Sequence, residues 1–340
     1  MAHGDGKEDS ADKEPDGKMN LRSENPRRLA DDLPREGFRG NIAFDVPLAP
    51  LTYYRIGGPA AVLIEPTTSD ELLIASRLLK ESRLEVFILG AGSNVLVSDD
   101  GFPGAVIRLA GDFEKLGSSE KDITIHAGAS VSLVRVLKEA VKIGMKGAER
   151  LAGIPGWIGG AIFMNAGTHG EYIDGLLESV DMIYESGEPQ TIHPDNCGFA
   201  YRMSRFQKTG EIIRGCTLIG DRINPKTLEA EIDRRLERRR NTQPVDVPSC
   251  GCVFRNPEGD KSAGMLIEEA GLKGTRSGDA VISERHANFV VNEGNASARD
   301  VLSLMALAQR KIYESTGIKL LPEVRGVGFE KPLEVILDEW

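Results

Sequence analysis

The sequence predicts an α+β protein with two folded units, and three observations lead to this prediction. Strand-like and helical patterns alternate along most of the chain, as in folds that combine sheets with packed helices. The 340 residues exceed the usual size of one domain, about 100–150 residues. A strongly charged helical segment, residues 225–240, precedes a compact final region, and we interpret it as the bridge into the second unit.

The composition excludes several classes of function. The net charge is −10 and the pI about 5.2, so nucleic acid is not the expected main partner, because phosphate binding needs a basic surface. The four cysteines are too few for a disulfide framework, and Cys250 and Cys252 lack the spacing and the histidine pair of a zinc site. No apolar run reaches the roughly 18 residues that span a bilayer, and the first 40 residues lack a signal-peptide segment. We therefore expect no metal, no membrane partner and a cytoplasmic location.

The two ends of the chain are expected to lie outside the folded units. Residues 1–38 are charged and nearly free of large apolar side chains, which predicts a disordered tail. Residues 331–340 are interpreted as a loose C-terminal extension.

The first region is predicted to begin with a strand, a helix and a glycine loop. Gly57 and Gly58 allow the backbone to approach a turn partner or a ligand closely. Ser69 is the predicted N-cap of a helix over residues 70–83, whose leucines recur on one face. A short apolar strand then leads to the loop GAGSN at residues 90–94.

Further strands and one helix complete this region. Residues 95–109 have the pattern of two strands joined by a turn, and residues 122–128 form another strand. Ser130 is predicted to cap a helix that Gly144 ends. Residues 177–220 alternate apolar and polar side chains, which is typical of strands and hairpins.

The second region is predicted to contain two helices, a strand and a final extended segment. A short helix covers residues 262–270, and a strand covers residues 288–292. Ser297 and Asp300 have the spacing of a capping box, and the helix they begin ends at Gly317.

Two glycine-rich loops indicate a phosphate-bearing cofactor. The GAGSN loop lacks the third glycine of a dinucleotide fingerprint and has strands on both sides, so a Rossmann fold is excluded. Its backbone N–H groups and the Ser93 and Asn94 side chains can still bind phosphate oxygens. Residues 153–170 are either a second such loop, with a helix N-terminus at the phosphates, or a tightly packed helix start. The presence of two loops favours the cofactor.

The segment SCGCVFRNP, residues 249–257, is the strongest candidate for chemistry. Gly251 allows a turn that would present Cys252 at a loop tip, although a buried, inert cysteine is the alternative. Arg202 and Glu323 are further candidates, but periodicity cannot bring these distant residues together. The residues alone therefore predict an α+β protein that binds a phosphate-bearing cofactor.

Motifs along residues 40–329 resemble the UDP-N-acetylenolpyruvoylglucosamine reductases, the MurB flavoenzymes of peptidoglycan precursor synthesis. No long insertion separates YRMSRF from the cysteine loop, so the chain resembles the shorter subtype. The matching motifs, in order, are RIGG, LGAGSNVLV, GIPGWIGGAIFMNAG, YRMSRF, CGCVFRNP, AGMLIEEAGLKG, SERHANFVVN and EVRGVG.

The resemblance implies a fold and a reaction. Residues 39–220 would form a vanillyl-alcohol-oxidase-like (PCMH-type) FAD-binding domain of two subdomains, and residues 221–330 an α+β substrate-binding domain. A monomer with non-covalent FAD is implied. NADPH and the UDP-linked enolpyruvyl sugar would use one site in turn, and UDP-N-acetylmuramate would be the product.

The resemblance also implies roles for individual residues. Arg202 and Glu323 would flank the enolpyruvyl carboxylate while hydride comes from the flavin N5 atom. The proton would come from Cys252, where the family usually has serine. Position 169 departs as well, with His169 where an aromatic residue, usually tyrosine, is expected. The implied substrate contacts are Tyr201, Arg202 and Asn256, with Arg239 the choice among four candidates for the uridine diphosphate, the others being Arg240, Lys261 and Arg276. The implied FAD contacts are Ile56, Gly57, Gly58, Leu89, Gly90, Ala91, Gly92, Ser93, Asn94, Ile154, Pro155, Gly156, Ile158, Gly159, Gly160, Asn165, Ala166 and Arg325.

Two other functions stay open at this point. A flavin oxidase or dehydrogenase of the same fold would act on a different substrate, since fold does not determine function. A non-catalytic flavin-binding protein would have lost its acid at position 252, although retention of Arg202 and Glu323 argues against it.

Overall fold

The computed structural model describes residues 26–168, 170–184 and 188–340. It confirms the α+β prediction: within these residues, two sheets with packed helices form the first region and a smaller sheet with helices forms the second. His169 and residues 1–25 of the predicted tail lie outside the described residues. None of the helices in the described ranges is long and apolar enough to cross a membrane.

The first sheet is mixed and has the strand order β1-β2-β5-β3. Strand β1 is antiparallel to β2, whereas β2 and β3 are both parallel to β5. The strands are β1 (Asn41–Pro47), β2 (Pro59–Glu65), β3 (Val86–Ile88), β4 (Val95–Val97), which pairs elsewhere, and β5 (Phe102–Ile107). Helices α1 (Leu29–Arg35) and α2 (Ser69–Ser82) pack on this sheet.

The structure corrects the predicted extent of the N-terminal tail. Leu29 and Leu33, one turn apart on α1, are buried with Phe38 against Val62 of β2 and Leu72 of α2. This core contact orders the part of the tail from residue 26 onward, because burial of apolar area offsets the entropy of ordering. Two leucines are enough to anchor this short helix, and the composition of the segment did not indicate them because the segment is rich in charged residues.

The second sheet is antiparallel and has the order β12-β11-β13-β7-β6. Its core also receives the helices α3 and α6. The strands of this part are β6 (Leu116–Ser119), β7 (Thr124–Gly128), β8 (Met145–Lys146), β9 (Gly167–Thr168), β10 (Glu171–Tyr172), β11 (Leu177–Ile183), β12 (Pro189–Ile192), β13 (Ile212–Ile219) and β14 (Asp221–Arg222). The helices are α3 (Leu133–Ile143), α4 (Ile158–Phe163), α5 (Phe206–Thr209) and α6 (Pro225–Thr242).

Helix α6 belongs to the second sheet rather than to the C-terminal unit. Leu228 and Ile232 are buried in the core that α3 and the second sheet form, and Leu236 packs against it. The predicted domain boundary at residue 221 is therefore too early, and the C-terminal unit begins after α6. The helix starts also differ from prediction, because Thr68 and Ser132 are the N-caps of α2 and α3.

The C-terminal unit packs α8 on a three-stranded antiparallel sheet of order β15-β16-β17. The capping box of Ser297 and Asp300 and the left-handed Gly317 are confirmed at the two ends of α8. The elements are α7 (Ala263–Glu269), β15 (Arg276–Ser277), β16 (Ala280–Ile282), β17 (Val290–Asn292), α8 (Ala298–Thr316), β18 (Arg325–Val327) and α9 (Leu333–Asp338).

The last residues pack in the core of this unit, and strand β18 joins the unit to the first region. Leu333 and Leu337 of α9 are buried in the C-terminal core, so the prediction of a loose extension is wrong. Strand β18 pairs in parallel with β4, which follows the GAGSN loop. The Arg325 backbone N–H donates to the Asn94 carbonyl oxygen (3.1 Å), so this pairing brings the end of the chain to the first glycine loop.

Candidate active site

A cavity of about 640 Å³ lies where the two sheets and the C-terminal unit meet. This volume is within the range of small-molecule and cofactor sites, about 300–1,000 Å³. The three predicted catalytic residues, Arg202, Cys252 and Glu323, all line it, as does Arg239. The predicted FAD contacts that line it are Leu89, Gly90, Ala91, Gly92, Ser93, Asn94, Ile154, Pro155, Gly156, Gly159, Gly160, Ala166 and Arg325.

The two glycine-rich loops face each other in this cavity. The Ser93 hydroxyl donates a hydrogen bond to the Pro155 carbonyl oxygen (3.0 Å), which joins them. A Cβ added at Gly90 or Gly160 would meet no protein atom within 4 Å, so the space beside both glycines is open. Open backbone on two facing loops fits an extended phosphate-bearing group such as FAD.

The start of helix α4 presents fewer free donors than the sequence indicates. The Ile158 N–H donates to the Val131 carbonyl oxygen (2.9 Å), and the Gly159 N–H donates to the Ala129 carbonyl oxygen (2.8 Å). Ile158 is fully buried in the core and does not line the cavity. The sequence left a packed helix start and a cofactor loop as alternatives for this segment. In the structure the segment is both, because Ile158 packs in the core while Gly159 and Gly160 line the cavity.

The RIGG motif is structural. Ile56 is 2% exposed and packs in the C-terminal core. A Cβ on Gly57, whose φ is +128°, would lie 2.4 Å from the Val97 Cβ, and one on Gly58 would lie 2.4 Å from the Asp99 carbonyl oxygen. These glycines permit close packing against β4 and the turn after it, so the structure does not place the motif in the cavity wall.

Three other predicted contacts also lie outside the cavity wall. Asn165 is 1% exposed, and its amide donates to an Asp174 carboxylate oxygen (3.0 Å). The Tyr201 hydroxyl accepts the Asn256 backbone N–H (3.4 Å). The Asn256 side-chain oxygen accepts the N–H of Ala263 at the start of α7 (3.1 Å), so this amide supports a helix.

Arg202 and Glu323 form an ion pair, although 121 positions separate them in the sequence. The Arg202 Nε atom lies 2.6 Å from the Glu323 Oε1 atom, and its Nη1 atom donates to the Gly167 carbonyl oxygen (3.0 Å). Burial raises the pKa of Glu323, and the charge of Arg202 opposes that rise. Arg202 has φ +56°, a conformation that costs a non-glycine residue about 1–3 kcal/mol and is concentrated at functional sites.

Cys252 has a free thiol that is half-buried beside this pair. Burial, and after it the charge of Glu323, raise the pKa of the Cys252 thiol to about 12 against the opposing charges of Arg202 and Arg239. The thiol is therefore protonated at neutral pH. The alternative of an inert core cysteine describes Cys250, which is 2% exposed.

Arg239 supplies a buried positive charge next to the thiol. Its Nε atom donates to the Gln243 side-chain oxygen (2.8 Å). Its Nη1 atom is buried and has no hydrogen-bond partner among the described residues. Because an unsatisfied buried donor is costly, this nitrogen is suited to an anionic ligand.

Sequence reasoning missed the aromatic residues of the cavity wall. The Phe163 ring lies under the Arg325 guanidinium (4.8 Å), and the Trp157 ring lies under that of Arg108 (4.9 Å). Both aromatics occur in the second glycine-rich segment, where they were interpreted only as apolar residues of a helix start. Their position between glycines was the available signal.

Known proteins resemble this chain over most of its length. A family described as FAD binding domain matches residues 60–193, and one described as UDP-N-acetylenolpyruvoylglucosamine reductase, C-terminal domain, matches residues 243–327. The UDP-N-acetylenolpyruvoylglucosamine reductase of Synechococcus sp. (strain JA-3-3Ab) is 44% identical over 299 residues, 86% of this chain and 94% of the relative. The crystal structure of UDP-N-acetylenolpyruvylglucosamine reductase (MurB) from Thermus caldophilus is 36% identical, with a TM-score of 0.72, and the match covers 85% of this chain and 99% of that chain.

Proposed function

The chain belongs to the UDP-N-acetylenolpyruvoylglucosamine reductase family, and we propose that the Cys252 thiol delivers the proton in its reaction. The enzyme is an FAD-dependent oxidoreductase that reduces an enolpyruvyl group on a UDP-linked sugar, with NADPH as co-substrate. The observation that carries the proposal is the meeting of Cys252 with the Arg202–Glu323 pair in one cavity.

The cavity suits FAD along its glycine loops. The residues that would hold the cofactor are those with open backbone, Gly90, Gly160 and their neighbours, together with Arg325, whose strand lies beside the first glycine loop. The chemistry that bound FAD supplies is hydride transfer from NADPH to the enolpyruvyl double bond. Phe163 supports the Arg325 guanidinium and keeps it in the wall.

Arg202 stabilises the negative charge that develops beside the substrate carboxylate when hydride adds to the double bond. A donor aimed at developing charge in a desolvated site contributes about 2.7–4 kcal/mol to lowering the barrier. Glu323 holds the Arg202 Nε atom in place at 2.6 Å. The pair thus acts as one oriented cation rather than as a flexible side chain.

Cys252 completes the reduction. Its S–H bond breaks as a new C–H bond forms on the substrate, and the charges of Arg202 and Arg239 favour the thiolate that remains. Water then returns a proton to sulfur. Because the resting thiol has a pKa of about 12, it is loaded with its proton before every turnover at neutral pH.

Arg239 is the proposed contact for a phosphate of the UDP-linked substrate. Arg239 lines the same cavity as Cys252, and its buried Nη1 atom has no hydrogen-bond partner among the described residues. The same phosphate-binding charge serves NADPH if the two ligands use the site in turn, as we propose. A monomer in the cytoplasm is the remaining part of the proposal.

Separating the two half-reactions tests the role of Cys252. In FAD-loaded Cys252→Ala, NADPH should bleach the flavin absorbance at the wild-type rate. Return of the absorbance on adding the enolpyruvyl substrate should slow by about 10²- to 10⁴-fold, the usual contribution of general acid catalysis. Cys252→Ser should recover a substantial part of that rate. Equal damage to both half-reactions in Cys252→Ala would contradict the assignment.

A further inference from the structure

Asn288 holds the backbone that follows Cys252. Its side-chain oxygen accepts the Phe254 N–H (3.1 Å), and its amide donates to the Phe254 carbonyl oxygen (2.8 Å). Its own carbonyl oxygen accepts the Val253 N–H (2.9 Å). Asn288 is 2% exposed, so these three bonds form where water does not compete.

Asn288 also lies beside Cys252, because Cys252 pairs with the next residue, Phe289, in an antiparallel β-bridge. The Asn288 side chain lowers the pKa of the Cys252 thiol, against the larger effect of burial. An asparagine amide has two N–H groups, and only one is needed for the Phe254 carbonyl oxygen. The clamp on the backbone therefore leaves one N–H group of this buried side chain without a partner in the clamp, beside Cys252.

The other side of Cys252 offers little restraint. Gly251 has φ +82°, and a Cβ added there would meet no atom within 4 Å. Glycine restricts its own backbone less than other residues do, so Gly251 itself contributes little to fixing the thiol. The direction of the sulfur consequently depends on the contacts that follow it in the sequence.

We propose that Asn288 is a positioning residue for proton transfer, which fixes the Cys252 loop and directs the thiol into the cavity. The inference rests on the proposed role of Cys252 as the acid. Displacement of a reacting group by about 1 Å costs on the order of 10²-fold in rate. Loss of the clamp should therefore slow protonation and leave flavin reduction by NADPH unchanged.

Asn292, at the end of strand β17 and four positions after Asn288, provides a matched control. It is 3% exposed, and its side chain makes three hydrogen bonds, one more than the Asn288 side chain makes with Phe254: with Tyr54 (3.0 Å), Gly294 (3.0 Å) and Ala296 (3.0 Å). Both Asn288→Ala and Asn292→Ala should lower the melting temperature. In stopped-flow traces of the FAD-loaded enzymes, only Asn288→Ala should slow the substrate-driven half-reaction, by about 10- to 100-fold. Equal slowing in both variants would overturn the inference.

A double-mutant cycle with Cys252→Ala separates positioning from general loosening. If Asn288 acts through the thiol, adding Asn288→Ala to Cys252→Ala should slow the substrate-driven half-reaction no further. Independent, multiplying effects would overturn the inference while leaving the role of Cys252 intact. A wild-type rate in Cys252→Ala alone would instead remove the proposed function and, with it, this inference. If Asn288→Ala does not fold, Asn288→Asp keeps the acceptor for the Phe254 N–H, removes the amide donors and should show the same selective slowing.

Discussion

The two walls of the cavity are built differently. The wall of glycine loops offers backbone, and its members are neighbours in sequence within two short segments. The other wall offers side chains, and Arg202, Cys252 and Glu323 come from three segments that only the fold brings together. Binding of a large cofactor needs room and N–H groups, whereas charge stabilisation and proton transfer need particular side-chain atoms at particular places.

This difference predicts how each wall responds to substitution. A change in the side-chain wall should damage a chemical step and leave FAD bound. A change in the glycine wall should weaken FAD binding and affect chemistry only through cofactor occupancy. A variant that breaks this division would show that the two walls are coupled.

Arg202→Ala should have the largest effect. It removes the positive charge that we propose acts on the reacting carboxylate, and it leaves the Glu323 carboxyl without its partner, so kcat should fall about 10²- to 10³-fold. FAD content, measured from the flavin absorbance of the purified protein, should stay at the wild-type level. Arg202→Lys should recover little, because an ammonium cannot reproduce the two directed bonds of the guanidinium.

Arg205→Ala is the control for this variant. Arg205 also pairs with a buried carboxylate, that of Glu211, and lies three positions further along the same motif. Its loss should lower stability while turnover per bound FAD is largely retained. If the two variants lost activity equally, ion pairing as such, and not charge at the reacting centre, would explain the effect.

Much of the fold could be predicted because local patterns determine it. The caps of α8 and the strand patterns around the glycine loops need only neighbouring residues, and both agree with the structure. The errors arose where tertiary packing decides. Helix α1 is ordered by two leucines that meet the first sheet, and α6 joins the second sheet through Leu228 and Ile232.

The candidate site divides in the same way. Glycine density located the loops, but it could not separate Gly90, which borders open space, from Gly57, which packs against Val97. The convergence of Arg202 and Glu323 across 121 positions had no local signal and came only from the resemblance to a known family. The hydrogen bonds from Asn288 to the Cys252 loop also had no local signal in the sequence, since a buried asparagine just before a strand is an ordinary structural residue.

Alanine at the two kinds of glycine should produce opposite phenotypes of intermediate size. Gly160→Ala adds a methyl group to open space in the cavity and relieves no strain, so the fold should be retained or stabilised by about 0.4–1 kcal/mol. FAD affinity, measured by titrating apoprotein, should fall about 5- to 100-fold, since overpacking costs about 1–3 kcal/mol.

Gly57→Ala should instead unfold at lower temperature. Its φ of +128° and the 2.4 Å approach to the Val97 Cβ leave no room for the methyl group. FAD affinity of the protein that remains folded should be unchanged. Weakened FAD binding in Gly57→Ala without loss of stability would contradict the structural role and show that the RIGG motif contacts the cofactor.

The smallest expected effect is an absence of pH dependence in the substrate-driven half-reaction. An ordinary cysteine has a pKa of about 8.5 and would lose its proton, and with it its function as an acid, in mildly alkaline buffer. Burial raises the pKa of Cys252 to about 12, so the protonated thiol persists through that range and is lost only as the pH approaches the raised value. The stopped-flow rate should therefore stay level as the pH passes about 8.5, the ordinary thiol value. The Cys252→Ser variant, whose hydroxyl does not ionise there, serves as the reference profile. A fall in the wild-type rate centred near the ordinary thiol value, absent from Cys252→Ser, would mean that the sulfur is better solvated than its place between the two walls indicates.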